Sequence, residues 1–178
     1  MSNSPTQKEL HDLTAIKSIV IVDEDINDLS PLSQFVNLEE LYLERVGLEN
    51  LESITAVKDV KILSIKECPV EDLVPLNQLY KLEKLILDFT AVDNLKPLEE
   101  MQSLTYLSLA GTQVRSLKGI ETLIGLKYLD ISSTQVRWIG KLELLDNLQE
   151  FVCYNTRIFE FSLNNFKEEH PDCSVRFY

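Results

Sequence analysis

Leu104-Thr105-Tyr106-Leu107-Ser108-Leu109-Ala110-Gly111-Thr112-Gln113-Val114 is apolar at its first, fourth and sixth residues, and those positions recur every 22 residues through almost the whole chain. The first is Ile16, Leu38, Val60, Leu82, Leu104, Leu126 and Leu148. The fourth is Ile19, Leu41, Leu63, Leu85, Leu107, Leu129 and Phe151, and the sixth is Ile21, Leu43, Ile65, Leu87, Leu109, Ile131 and Cys153. A fixed period of this kind marks a repeat architecture and takes precedence over any local reading. Because the fourth and sixth residues are two apart, as side chains on one face of a strand are, each of the seven units is expected to open with a short strand.

A second apolar set follows at spacings of three: Leu29, Leu32 and Phe35; Leu51, Ile54 and Val57; Leu117, Ile120 and Leu123. That period fits 3₁₀ turns better than an α-helix at 3.6 residues per turn. Pro31, Pro75 and Pro97 share one position there, where a fixed φ helps to begin a tight turn. One unit cannot bury its own apolar edge, so the units must stack, each strand pairing in parallel with the next at about 4.8 Å. The expected fold class is α/β: a solenoid forming a right-handed arc, with strands on its concave face and 3₁₀ or irregular turns on the convex one. Residues 16–161 hold the repeats. A helical cap is expected over 1–15, where Ser4-Pro5-Thr6-Gln7 has the form of a capping box, and a second cap over 162–178, with a helical turn at 164–169 and an edge strand at 174–178.

These residues resemble the short, 22-residue class of leucine-rich repeats found in bacterial internalins and eukaryotic phosphatase-regulator proteins. Gly111-Thr112-Gln113-Val114, Ser133-Thr134-Gln135-Val136 and the closing segment around His170-Pro171-Asp172-Cys173 look like bacterial versions. The resemblance implies protein binding on the concave strand face. It breaks at the ninth position, where the family places an asparagine that ties the turn. Here that column is Glu24, Val46, Cys68, Thr90, Thr112, Thr134 and Thr156, so threonine hydroxyls are expected to tie the last four units and the first three to be tied less well. Internalins are exported and anchored; nothing in this sequence carries that role over.

Seventeen Lys and Arg against 29 Asp and Glu give a net charge of −12, which opposes attraction to nucleic acid or anionic lipid and favours a partner with a basic surface. The first 89 residues hold 17 of the acids and 8 of the bases. Met1 to Leu13 shows no charged segment leading into an apolar run, and no membrane-length apolar stretch occurs. The expected location is cytoplasmic, the alternative being an effector secreted without a classical signal. Cys68, Cys153 and Cys173 are odd in number and lack metal-type spacing, which suits reduced thiols, although Cys153 and Cys173 lie close enough to the C-terminus to invite pairing. Two histidines, His11 and His170, both in the caps, and the lack of a nucleophile or phosphate-loop motif argue against an enzyme. No cofactor or metal is expected, and the chain reads as a monomer.

The third, fifth, seventh and eighth positions of each unit should point outward from the strands. Tyr42, Ile62, Ile86, Phe89, Tyr106, Tyr128 and Tyr154 then form a diagonal apolar band, and tyrosines are common interface anchors. Around it Glu40, Glu44, Glu67, Asp88, Asp130 and Glu150 outnumber Arg45, Lys66 and Lys84. The candidate partner-binding residues are Tyr42, Glu44, Ile62, Lys84, Ile86, Phe89, Tyr106, Tyr128, Asp130 and Tyr154. Elsewhere, Glu49, Glu71 and Asp93 stack in the twelfth column and should splay into water, and Trp138 reads as local packing on an outer turn. The function expected is a protein-interaction module, in one version an inhibitor or immunity-type protein covering a basic site. The alternative is an assembly scaffold or a delivered effector.

Overall fold

A computed structural model describes residues 14–177. Its framework is one eight-stranded parallel sheet in sequential order. The strands are β1 (Ser18–Val22), β2 (Glu40–Glu44), β3 (Ile62–Lys66), β4 (Lys84–Ile86), β5 (Tyr106–Ser108), β6 (Tyr128–Asp130), β7 (Glu150–Val152) and β8 (Ser174–Arg176). Between β1 and β7 each residue pairs with the one 22 positions on, as in Leu41 with Leu63 and Leu107 with Leu129. The repeat period is thus the sheet register.

The apolar columns lie behind the strands. Leu41, Leu63, Leu85, Leu107, Leu129 and Phe151 are all 0% exposed, and Leu43, Ile65, Leu87, Leu109 and Ile131 are sealed with them. Ile16, Ile19 and Ile21 are only partly covered, as befits the first unit of a stack. The expected cap over 1–15 lies outside the described residues except for Thr14 and Ala15. At the other end, α1 (Glu160–Glu169) starts earlier than the helical turn expected at 164, and it closes the core with Leu163 and Phe166. The Phe166 ring meets Phe151 edge-on at 5.6 Å, and β8 extends the sheet by pairing with β7.

Five returning segments form 3₁₀ turns: Ser30–Gln34, Glu52–Val57, Val74–Gln78, Lys96–Leu98 and Gly140–Leu144. Unit five departs from the expectation. Leu117, Ile120 and Leu123 are buried, but no 3₁₀ helix forms there. Gly119 occupies the proline column with φ +109, and a Cβ on it would lie 2.4 Å from the Leu95 carbonyl oxygen. The chain approaches the previous turn too closely for a side chain, which selects glycine and an irregular path. A second regularity lies at the entry to the turns. Asp28, Asn50, Asp72, Asn94 and Ser116 share one column and each accepts the backbone N–H two residues on, at 2.8 to 3.2 Å, fixing the entry to each turn. Trp138 breaks that column.

Candidate functional site

The parallel register carries each column straight across the strand face, so residues 22 apart in sequence become neighbours. Burial alternates along β2 as expected for a half-covered strand. In the middle of the sheet, however, most of the fifth column is covered: Ser64 and Ser108 are 4% exposed, Val152 6% and Ile86 9%, while Asp130 stays half-exposed. Strands about 4.8 Å apart leave little room between adjacent side chains, so the flanking columns cover the central one.

The eighth column turns the chain off the sheet, and every member is left-handed: φ is 60° at Asp23, 51° at Arg45 and Glu67, 58° at Phe89 and Ser133, 69° at Gly111 and 52° at Asn155. Gly111 takes this conformation freely and Asp23 and Asn155 tolerate it; for the others it costs of order 1–3 kcal/mol. From Asp23 to Ser133 the carbonyl of the seventh residue in the next unit holds it, in bonds such as Phe89 N–H to Ala110 O and Ser133 N–H to Tyr154 O, both 2.8 Å. Behind this corner the threonine hydroxyls close each unit on itself. Thr90, Thr112 and Thr134 donate to the carbonyl three residues back at 2.7 Å, and Thr156 does so at 3.1 Å. In unit three the Cys68 thiol donates to Lys66 O instead, while in unit two Val46 offers no such bond. There the eighth-column side chains form an ion cluster: Arg45 reaches Asp23 at 2.6 and 3.2 Å, Glu67 at 3.6 Å, and also Glu44.

The expected diagonal band resolves into two groups. The first is a column-three stack in which the Tyr106 and Tyr128 rings lie 4.0 Å apart and within 2° of parallel. The Lys84 ammonium sits 4.1 Å above the Tyr106 ring. Asp130 stands two residues along β6 from Tyr128 on the same face, and one of its oxygens accepts Ser132 N–H at 2.7 Å. Burial, above all, raises both phenol pKa values, with the neighbouring Asp130 and Glu150 charges adding to it, so the rings stay neutral.

The second group surrounds an open hollow of about 320 Å³ lined by Val20, Val22, Tyr42 and Ile86, with Glu44 and Lys66 at its rim and Ser64 at its base. A small buried serine between Tyr42 and Ile86 in the fifth column leaves the dent. The Tyr42 hydroxyl donates to Glu40 at 3.2 Å. Val20 and Val22, 66% and 38% exposed, are outward in their columns, but a valine pair on a strand carries no functional signal of its own in the sequence.

Of the remaining candidates, Ile62 continues the column-three stack beyond Lys84, whereas Phe89 and Tyr154 lie apart from both groups. Ile62 is half-buried in register between Glu40 and Lys84. Phe89, 61% exposed, lays its ring over Gly111, where an added Cβ would sit 2.4 Å from it. Tyr154, 41% exposed, is held at the far end of its column by its N–H to Ser132 Oγ. Outside this face, Glu49, Glu71 and Asp93 are exposed and make no ion pair among the described residues. Trp138 is 73% exposed, with its ring against Phe159 at 6.2 Å. All three cysteines are buried and free. No helix among the described residues is long and apolar enough to cross a membrane.

No protein-family model matches the chain, and no curated protein matches it in sequence. Solved structures match it in fold. An internalin, inlF, of Listeria monocytogenes superposes with a TM-score of 0.81 at 18% identity, over 99% of this chain and 53% of that one. Internalin C2 of the same organism gives 0.80 at 18% identity, over 95% and 76%. A leucine-rich-repeat protein of Leptospira interrogans gives 0.78 at 22% identity, over 96% and 51%. The chain therefore spans about half the length of the first and third of these structures and about three quarters of the second. With its sequential parallel sheet, its 22-residue register and its 3₁₀ returns, the fold is that of a leucine-rich-repeat solenoid.

Proposed function

We propose that this chain is a non-catalytic protein-interaction module that holds a partner protein against its strand face. The observation that carries the reading is the Lys84–Tyr106–Tyr128 stack: aromatic rings half-exposed on a rigid sheet, positioned by neighbouring strands rather than by a flexible loop. Rings of this kind bury much area on binding at little entropic cost. The net charge of −12 favours a partner with a basic surface, in the manner of an inhibitor or immunity-type protein covering a basic site. The module acts as a monomer in the cytoplasm and needs no cofactor.

The test is affinity capture from native lysate with the wild-type chain and with Tyr106→Ala/Tyr128→Ala, each checked by circular dichroism. The double variant is expected to lose the partner while keeping its fold, and unchanged capture would refute the strand-face reading. One dominant basic partner supports inhibition, whereas several structural partners point to a scaffold. Binding should weaken as salt rises from low to physiological concentration if the acidic field steers the encounter. Indifference to salt would remove charge from the explanation.

A further inference from the structure

The carboxylates of the strand face differ in whether they have partners. Glu44 is held by Arg45, Asp88 by Lys66 at 3.6 Å and Glu150 by Arg176 at 3.0 Å. Glu40 accepts the Tyr42 hydroxyl. Asp130 has only the Ser132 N–H on one oxygen, and no cation pairs with it among the described residues. The aromatic stack beside it is equally one-sided. Tyr106 is covered on one face by Lys84 and on the other by Tyr128. On its other side Tyr128 has no ring or cation against it among the described residues; its neighbour in register there is the Glu150 carboxylate.

We infer that Tyr128 and Asp130 form the receptor for a single arginine side chain of the partner protein, its guanidinium packing against Tyr128 on the side of Glu150 and donating to Asp130. This rests on the strand-face reading above and names what that face recognises. Three properties point to arginine rather than to an apolar side chain or a lysine. The stack already takes one cation, which shows that the ring quadrupoles are presented for it. A planar group can stack on a planar ring and still offer two N–H donors at its edge to a carboxylate, which a tetrahedral ammonium cannot do. Asp130 supplies an unneutralised charge at the right place, two residues from Tyr128 on the same strand face, so a neutral occupant would leave it without a partner. Burial and the Tyr106 hydroxyl, with the Asp130 and Glu150 charges adding to them, raise the Tyr128 phenol above its ordinary value.

The experiment is a nuclear magnetic resonance titration of the full chain into the high-millimolar range. The probes are Nα-acetyl-arginine N-methylamide and its lysine and norleucine counterparts. Arginine is expected to shift the Tyr128 ring protons and the Asp130 amide, saturating well before lysine, with norleucine silent at these positions. Asp130→Asn should weaken arginine about tenfold, as fits the loss of charge-assisted hydrogen bonds, without disturbing the Tyr106–Tyr128 ring shifts of the free protein. Tyr128→Leu should abolish the effect. The inference is overturned if arginine binds no better than lysine or norleucine, if its shifts fall elsewhere, or if Asp130→Asn leaves its dissociation constant unchanged. Failure of the probe does not bear on capture of the partner by the strand face, which the double tyrosine variant tests separately.

Discussion

Replacing Thr112 by valine removes one hydroxyl from a site that is 4% exposed, while keeping the shape of the side chain. The lost bond runs from Thr112 Oγ1 to the Leu109 carbonyl at 2.7 Å. That carbonyl is not orphaned, because it also accepts Thr112 N–H at 3.2 Å. The expected cost is therefore about 1 kcal/mol, the net value of one neutral hydrogen bond, and not the larger penalty of an unsatisfied buried group. Each threonine bonds within its own unit and none bonds to the next threonine, so the column is a series of independent clasps. Thr112→Val and Thr134→Val should then be additive, with a coupling below about 0.5 kcal/mol in a double-mutant cycle. The assay is urea unfolding followed by circular dichroism, with the m-value unchanged so that the costs can be compared. A coupling above about 1 kcal/mol would show a cooperative ladder, and a single cost near zero would show that the hydroxyl stabilises nothing; either refutes the clasp account.

Other consequences are open to direct measurement. Hydrogen bonds from Lys17 and Lys61 hold the Glu39 carboxyl at about 2; carboxyl carbon shifts should report that midpoint, and salt should raise it towards the ordinary value. Because the folded-state pKa is depressed, whatever Glu39 adds to stability is present above the unfolded carboxyl pKa and disappears as pH falls through about 2. Burial raises the Cys153 thiol to about 12 and the Cys173 thiol to about 11, and raises Cys68 as well; a thiol reagent at pH 8 should modify the native protein slowly and the unfolded chain at three cysteines. Modification of only one in the unfolded, unreduced chain would instead reveal a Cys153–Cys173 disulfide. Gly119→Ala should destabilise by about 2 kcal/mol or more, from its left-handed φ and the contact with the Leu95 carbonyl. Gly111→Ala should cost less, since the obstacle there is the exposed Phe89 ring, and Phe89→Ala in the same chain should recover part of the loss.

Much of the fold was legible because the information repeats. Seven copies of the first, fourth and sixth positions fix strand, face and register together, and the period of three in the returning segment announces 3₁₀ turns. What a single column does not announce is conformation imposed from the next unit. The left-handed corner falls on Arg45, Glu67 and Phe89, residue types that do not prefer it, and it is set by the carbonyl of a neighbouring repeat. The irregular turn at Gly119 likewise follows from the proximity of Leu95, 24 residues earlier. The stack of Tyr106 on Tyr128 could be read from the columns as adjacency, but its parallel rings and the capping Lys84 are geometry. The hollow by Val20 and Val22 is not legible in the sequence because it depends on a gap, the small Ser64 between two large neighbours, rather than on any residue that stands out.

A register equal to the repeat length has a consequence for how such a chain can change in size. Removing residues 106–127 joins Thr105 to Tyr128 and leaves every apolar column intact, whereas removing one residue more or fewer misaligns all that follows. Lys84 would then pair with Tyr128 in place of Tyr106, but Phe89 would meet Ser133 where Gly111 now leaves room for its ring. Removing residues 128–149 would keep Gly111 beside Phe89 and set Glu150 beside Tyr106 instead. Lengthening and shortening of this molecule are therefore quantised in whole units, and each permitted step rewrites the pairings on its strand face without touching the core behind it.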